Sequence, residues 1–507
     1  MSVGNKKKKP RRPWSEKGGP PQPRALWLHV DSKRLLNGIM LGTLLGLFVL
    51  AIIFHRTGTQ PAARTIGSFA LILAGCVLYS LYLVSFESSR IRASRSILAL
   101  GMFSLMPILA AVWFPHFRIP LYLIPVTLVA FIFGIAYSER TAISVSFMLC
   151  LLVGLSLHIT SASHELPGSV TNPYDLLMVL FAGAAVAALG CGHIRKRSKL
   201  LKVGLASSLV QGVLIAAVMA QAGKPVVIEE CALGFLNGVL SAALISAGLP
   251  IIESIFKITT DISLLELSDQ NHPLLRRLSL EAPGTYHHSL ILGNLAEAAG
   301  EAIGANSLLL RVGAYFHDIG KVVKPEYFVE NEGIHGSMHS NLSPTMSTLI
   351  ITAHSKDGAE MAREAGLPQA ITDLIQQHHG TSLVEFFYRE AVGRSDSKEK
   401  VDDALFRHGG PRPQTKEAAV LMLSDAVESA SRSLPDPSPS RIARQVHEII
   451  NRKLIDGQLE ECDLTLAEVH KVEQSLVRSL TSLFHGRIKY PEPDESAERE
   501  QNGDRNR

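Results

Sequence analysis

The sequence predicts an all-α protein in two parts, a multi-pass transmembrane helix bundle followed by a soluble, wholly helical domain. Three observations carry that expectation. Residues from about 37 to 256 are strongly apolar and divide into runs of bilayer-crossing length. From about residue 260 onward the composition is that of an ordinary soluble protein, with apolar residues at helical spacing. Capping residues, prolines and glycines punctuate that second part into separate helices. At 507 residues the chain has room for about two or three domains.

The opening stretch, "MSVGNKKKKPRRPWSEKGGPPQPR", is basic and rich in proline and glycine, so residues 1–34 are expected to be disordered. The first apolar run starts beyond a normal signal-peptide position and lacks a convincing cleavage site, which makes it a retained anchor. Eight candidate spans then fill residues 35–256, at about 37–54, 65–86, 96–114, 119–137, 141–160, 174–193, 203–222 and 231–252. Alternate connections carry the positive charge: "ESSRIRASR" at 87–95, "SER" at 138–140 and "RKRSKLLK" at 195–202. Under the positive-inside rule these share a face with the basic N-terminus. Eight crossings return the chain to that face, so both termini and the soluble half are expected in the cytoplasm.

Residues 257–282, beginning "KITTDISLLELSDQNHPLLRRLSLE", are amphipathic and read as a coupling helix plus turn. The soluble domain follows at 283–486. Ser343–Pro344 is the N-cap and first position of a helix reaching Gly366. Pro368 opens another, "PQAITDLIQQHHG", which Gly380 ends. A charged loop fills 393–415, "TKEAAVLMLSDAVESASRSL" forms the next helix, and Pro435–Pro439 breaks the chain before two more helices running to about 485. The polar tail at 487–507 is expected to be unstructured.

A net charge of +4 is too small to point to a nucleic acid polymer as partner. The five cysteines form no CxxC pair, so the sequence supports neither a thiolate zinc site nor a disulfide framework. Histidine is the informative residue. Eight of the nineteen fall between 287 and 379: His287, His288, His317, His335, His339, His354, His378 and His379. His55, His116, His158 and His193 sit at the edges of apolar runs, where polar residues are ordinary. His317–Asp318 end an apolar run, where an imidazole and a carboxylate would be wasted as packing. His378–His379 close a short helix, whose unpaired carbonyls favour a nearby cation. Asp425 lies inside the apolar face of its helix, where an unpaired charge is costly; a metal ion or a salt bridge would relieve it. Imidazole with carboxylate and no thiolate suits manganese, iron or another divalent first-row ion. Seven candidates exceed what one ion takes, so two ions sharing a carboxylate is the economical arrangement, suited to in-line phosphoryl chemistry.

The order His288, His317–Asp318, His354, His378–His379, Asp425 resembles the HD-domain phosphohydrolases. The stretches "APGTYHHSLILGNLAEAA", "FHDIGK", "FVEN", "AHSKDGAEMAREAGLP", "HHGTSLVEFFY" and "PQTKEAAVLMLSDAVESASRSL" are similar to the seven-transmembrane HD family of the PgpH type. That resemblance implies a phosphodiesterase of the bacterial cytoplasmic membrane, hydrolysing cyclic di-AMP to pApA with a hydroxide activated by two divalent ions, manganese or iron. It implies that Asp318 bridges the ions. His288, His317 and Asp425 would complete one site; His354, His378 and His379 would complete the other. Lys321 would neutralise a phosphate oxygen; the alternative is a solvated helix-end lysine. His339 matches a family position whose usual acidic neighbour is missing here, so its substrate contact rests on the histidine alone. His287 is expected to be a bystander and His335 a loop residue. The family commonly has a large extracytoplasmic domain after its first span, where this chain has only the short "HRTGTQPAAR". The lipid bilayer and the cyclic dinucleotide are the expected partners, with a second copy of the chain, in a homodimer, as a further candidate.

Two other functions remain open at this level. Cyclic di-GMP would keep the chemistry, but the Gly-Tyr-Pro signature of that subfamily is replaced by "HHGTSLVEFFY". A non-catalytic nucleotide receptor would be marked by lost ligands, and all seven are present. A transporter would carry ionisable residues inside its spans, which are nearly free of them.

Overall fold

The computed structural model describes residues 46, 67, 70–79, 94–160, 172–192, 194–256, 258–332, 338–394, 401–434 and 437–485. The tails expected at 1–34 and 487–507, the first span apart from Gly46, the connection after that span, and His55, His193 and His335 lie outside these residues. Among the described residues the protein is all-α, with one isolated bridge between Leu383 and Arg407. Two compact units are present. The first runs to Leu189 and includes Leu205–Ser241; the second comprises Gly190–Gly204 and the described residues from Ala242 onward.

Among the described residues, seven apolar helices occur in the first part of the chain: α1 (Ala70–Tyr79), α2 (Ser94–Trp113), α3 (Val126–Ala136), α4 (Glu139–Thr160), α5 (Pro173–Gly190), α6 (Arg197–Gln221) and α7 (Ile228–Phe256). Of these, α4 to α7 are long and apolar enough to cross a membrane. The span expected at 119–137 is not continuous. Pro120 precedes a 3-10 turn at Leu121–Leu123, and Pro125 then starts α3, which has only 11 residues. At 1.5 Å per residue α3 covers roughly half of a ~30 Å hydrocarbon layer. A proline has no N–H to give and clashes with the preceding turn, so the helix restarts after each one. Asn237 of α7 reaches this break, where its Nδ2 donates to Tyr122 O at 2.6 Å and to Ile124 O at 3.1 Å; Ile124 O also accepts from Val126 N at 2.8 Å. A second polar knot joins α6 to α3 and α5. Gln211 Nε2 donates to Thr127 Oγ1 at 3.1 Å, and Ser207 Oγ donates to Gly183 O at 2.8 Å.

The basic connection at 195–202 is shorter than the sequence suggests, because α6 begins at Arg197. Lysine, leucine and arginine are good helix formers, so a basic flank does not end a helix as a proline does. Within the second unit this segment meets the coupling region, which forms two helices, α8 (Asp261–Leu267) and α9 (Pro273–Glu281). Arg197 pairs with Glu266 at 2.9 Å, and Arg195 lies 3.8 Å from Asp261. Glu253, near the end of α7, accepts from Thr260 N at 3.0 Å and from Ser263 Oγ at 2.7 Å.

Among the described residues the second unit has eight further helices: α10 (Pro283–Ile303), α11 (Ser307–Phe316), α12 (Pro344–Glu364), α13 (Gln369–Gln377), α14 (Glu385–Arg394), α15 (Lys416–Ser431), α16 (Pro439–Ile455) and α17 (Leu466–His485). Their starts follow the capping residues. Ser343 accepts from Met346 N at 3.2 Å, and Thr415 accepts from Ala418 N at 3.1 Å. The loop expected at 393–415 begins at the end of α14 and contains a 3-10 turn at Asp403–Phe406.

Two apolar clusters hold the unit together. In one, Ala418–Asp425 of α15 is buried throughout and packs with Leu292 and Leu295 of α10, Val446 and Ile450 of α16, and Val472 and Leu476 of α17. In the other, Leu308, Val312 and Phe316 of α11 meet Leu275 and Leu278 of α9 and Ile371 and Ile375 of α13. Each large apolar side chain so buried contributes about 1.5–3 kcal/mol. That packing fixes α10, α11, α13 and α15 as a rigid frame.

Candidate metal centre

Five elements of this unit bring chemistry to one point. His288 comes from α10, His317 and Asp318 from the C-terminal end of α11, His354 from α12, His378 and His379 from the turn after α13, and Asp425 from α15. The helix carrying His378 and His379 ends at Gln377, so both sit just past it rather than within its last turn. Gly380 follows with φ of 55°, a left-handed turn that glycine accepts without strain. Gly320 serves differently. A Cβ there would lie 2.0 Å from His354 O, so only glycine lets the turn behind Asp318 press against α12.

The ligand atoms form two groups that share Asp318. One contains His288, His317 and Asp318; the other contains Asp318, His354, His378 and His379. The two oxygens of Asp318 divide between them. Oδ2 lies 3.1 Å from His317 Nε2 and 3.9 Å from His288 Nε2, whereas Oδ1 lies 3.3 Å from His354 Nε2 and 3.6 Å from His378 Nε2. Asp425 touches both groups, with Oδ1 3.1 Å from His288 Nε2 and Oδ2 3.7 Å from His379 Nδ1. All of these side chains are buried except His379, which is 26% exposed and forms the open side of the cluster.

Three of the imidazoles are held in the same way. Nδ1 of His317, His354 and His378 donates to the carbonyl three residues earlier, Ala314, Ile351 and Ile375, at 2.8, 2.5 and 2.7 Å. That bond leaves Nε2 as a bare lone pair facing the centre. His354 Nε2 and His378 Nε2 stand 3.2 Å apart. Two lone pairs cannot hydrogen-bond each other, and a cation between them resolves the conflict. His317 Nε2 and Asp318 Oδ1 are also buried without a hydrogen-bond partner. Unpaired buried acceptors converging on one place are costly unless a cation joins them. The residues therefore fit divalent metal binding.

Electrostatics agree with that reading. Burial alone would raise the Asp318 carboxyl, but His317 and Lys321 hold it well below the usual carboxylate range. Asp425 is likewise held low against burial, chiefly by His288. Burial pushes His378 down to about 4, against the pull of Asp318, and it drives His379 well below its ordinary value with help from His378 and His408. His288 goes the other way. Burial opposes its charge, but Asp425 and Glu428 raise it to about 10. The site thus offers ionised carboxylates, the neutral imidazoles of His378 and His379, and a proton on His288 that a cation would displace.

Lys321 is not a solvated helix-end lysine. It is largely buried, with Nζ 2.8 Å from Asp318 Oδ2 and 2.7 Å from Glu330 Oε1. His339 is not part of either ligand group; its Nε2 donates to Tyr327 O at 2.8 Å, and its ring packs on Phe387. His287 is exposed on α10, one position from the buried His288.

Four residues matter here that sequence reasoning passed over. Glu428 Oε2 accepts from His288 Nδ1 at 2.6 Å and so orients that ring; its spacing of three from Asp425, on one face of an apolar helix, was the available signal. Glu330 and Asn331 belong to "FVEN". Glu330 holds Lys321 and accepts from Thr285 Oγ1 at 2.9 Å, while Asn331 Oδ1 caps the start of α10 through Gly284 N at 2.9 Å. His408 stacks on His379 with ring centroids 4.2 Å apart, and nothing in its glycine- and proline-rich loop announces it.

Comparison with known proteins matches residues 62–260 to the family described as "7TM receptor with intracellular HD hydrolase" and residues 285–430 to the HD domain. The chain is 39% identical over 384 residues to "Cyclic-di-AMP phosphodiesterase PgpH" of Bacillus subtilis (strain 168), covering 73% of this chain and 51% of that protein. It is 44% identical over 259 residues to the protein of the same name from Listeria monocytogenes serotype 1/2a (strain 10403S), covering 51% of this chain and 36% of that protein. The crystal structure of the L. monocytogenes PgpH HD domain in complex with cyclic-di-AMP is 46% identical and covers 43% of this chain and 100% of that one, with a TM-score of 0.41. The chain thus spans about half the length of the Bacillus relative and about a third of the Listeria one. The two matched segments lie in the order that the family description requires, apolar helices first and the histidine-rich unit second: the chain belongs to the family of seven-transmembrane proteins that carry an HD hydrolase domain.

Proposed function

We propose that the protein is a membrane-anchored, metal-dependent phosphodiesterase that hydrolyses cyclic di-AMP to pApA. The observation that carries this reading is the division of Asp318, one oxygen toward His288 and His317 and the other toward His354 and His378. The relatives' names supply the substrate. Two ions would be held by Asp318 in common, with His288, His317 and Asp425 available to one and His354, His378 and His379 to the other. A nitrogen and oxygen set without thiolate favours manganese or iron. The functional boundaries are a bundle over 35–256, a coupling segment at 257–282 and the hydrolase domain at 283–486. The hydrolase domain and both chain ends face the cytoplasm of a bacterium across its cytoplasmic membrane, the arrangement the basic connections favour.

Divalent ions bound there supply Lewis-acid activation of water and offset charge on the phosphoryl oxygens. The chain's own residues prepare the place. The three backbone-anchored imidazoles are fixed in one tautomer, so little reorganisation accompanies the reaction. Lys321 and Glu330 hold the Asp318 carboxylate in orientation from behind. Lys321 Nζ is the cation nearest the bridging carboxylate, which suits it to balance charge that develops there. His379 lines the open side, where substrate approaches.

The test is the full chain in detergent with Mn²⁺, wild type beside Asp318→Ala, with pApA and bound metal both measured. Wild type should release pApA, and the variant should lose at least about a thousandfold in rate together with its bound metal. A wild-type protein that holds two ions yet leaves cyclic di-AMP intact would sink the proposal.

A further inference from the structure

A cavity of about 820 Å³ opens between the turn that follows His379, α15 and α16. Two of its wall residues, Ser382 and Ser429, touch residues of the metal centre. Ser382 N donates to His379 O at 3.1 Å, and Ser382 O accepts from His408 N at 3.0 Å. On the opposite wall Ser429 Oγ lies 3.5 Å from Asp425 Oδ1, one turn along α15.

Three cations line this cavity, and they differ in how they are matched. Arg407 pairs with Asp456 at 3.1 Å, and Arg452 pairs with Glu385 at 3.3 Å. Lys453 has no carboxylate within ion-pair distance among the described residues. Its Nζ donates to Ser382 Oγ at 2.6 Å, which aims the ammonium into the cavity beside the ligand turn. An ammonium has three donors, and a hydroxyl satisfies one of them. Burial also pushes this lysine down, against the pull of Asp425 and Asp456. A half-buried cation without a paired carboxylate, in a cavity whose wall residues Ser382 and Ser429 bond to His379 and Asp425, is matched by a phosphate. Phe386, 72% exposed at the same cavity, offers a face on which a base can stack.

We propose that Lys453 and Ser382 form an anion subsite that holds the phosphate of the substrate that is not being cleaved, and so select a nucleotide with two phosphodiesters over a simple one. The inference rests on the phosphodiesterase reading above. Lys453 is a specificity residue here, because it meets the far end of the substrate rather than the reacting bond.

The experiment compares two substrates on the full chain in detergent with Mn²⁺: cyclic di-AMP, which carries a second phosphate, and bis(p-nitrophenyl) phosphate, which does not. The readout is the ratio of their kcat/KM values in wild type, Lys453→Gln, Lys453→Arg and Ser382→Ala. Lys453→Gln should lower the ratio about tenfold or more, mainly through KM for cyclic di-AMP, as loss of one charge-assisted hydrogen bond predicts. Lys453→Arg should recover part of it, and Ser382→Ala should lower it by less. Where Lys453→Gln fails to fold, seen as loss of both activities and of bound metal, the Arg and Ser382 variants decide the matter. A ratio unchanged in every folded variant overturns the subsite. A wild-type chain that cleaves bis(p-nitrophenyl) phosphate but no cyclic dinucleotide overturns the functional reading and the subsite with it.

Discussion

His288 differs from the other imidazoles of the centre in what lies behind it. His317, His354 and His378 lean on backbone carbonyls that no side-chain substitution can remove. His288 leans on the Glu428 carboxylate, which also pairs with Arg432 at 2.7 Å. An ionised partner raises the basicity of the ring it supports, so this position is tunable by mutation. Glu428→Gln keeps an acceptor of the same shape and removes the charge. Its affinity for Mn²⁺ should fall about 10- to 100-fold, measured by competition with a chelating dye, while the helical circular dichroism stays unchanged. Equal affinity in both proteins would show that the carboxylate does not tune the ligand. The sequence could point to the seven ligands because their order is a motif. It could not point to Glu428 as a partner of His288, because 140 residues separate them and only the packing of α15 on α10 makes them neighbours.

Among the elements, α3 shows how a membrane helix can fall short and still be accommodated. Pro120 and Pro125 interrupt the helical ladder before it, and Asn237 donates to the Tyr122 and Ile124 carbonyls at that break. Inside a bilayer no water would replace it. Asn237→Leu should destabilise the bundle by about 1–2 kcal/mol, visible as a lower midpoint in SDS-induced unfolding. An unshifted midpoint would mean that the carbonyls find other donors. Hydropathy read along the sequence merges 119–137 into one span because averaging over a window hides where a proline interrupts the hydrogen-bond ladder. Local signals fared better. Ser343, Thr415 and Gly366 mark helix ends through bonds and backbone angles that lie within a few residues, so their meaning survives without tertiary context.

For the whole molecule, the charge pattern and the histidine motif locate two kinds of segment in one chain, and the family match follows the same division. The proposed orientation has a direct check. A fluorescent protein fused to the C-terminus should fluoresce in bacterial cells, and alkaline phosphatase at the same point should stay inactive; the reverse pattern would put the hydrolase outside. What the sequence could not reveal is where one unit stops and the next begins. Composition changes near residue 257, yet Gly190–Gly204 and the last turns of α7 belong to the same unit as the metal centre. Arg195 and Arg197 reach Asp261 and Glu266, and Glu253 receives Thr260 and Ser263. A truncation made at the compositional seam would therefore sever a joint. It would strip α8 of its arginine neighbours and leave two hydroxyls facing an empty seat where Glu253 had been, so a fragment intended to isolate the catalytic half would begin with its own foundation removed.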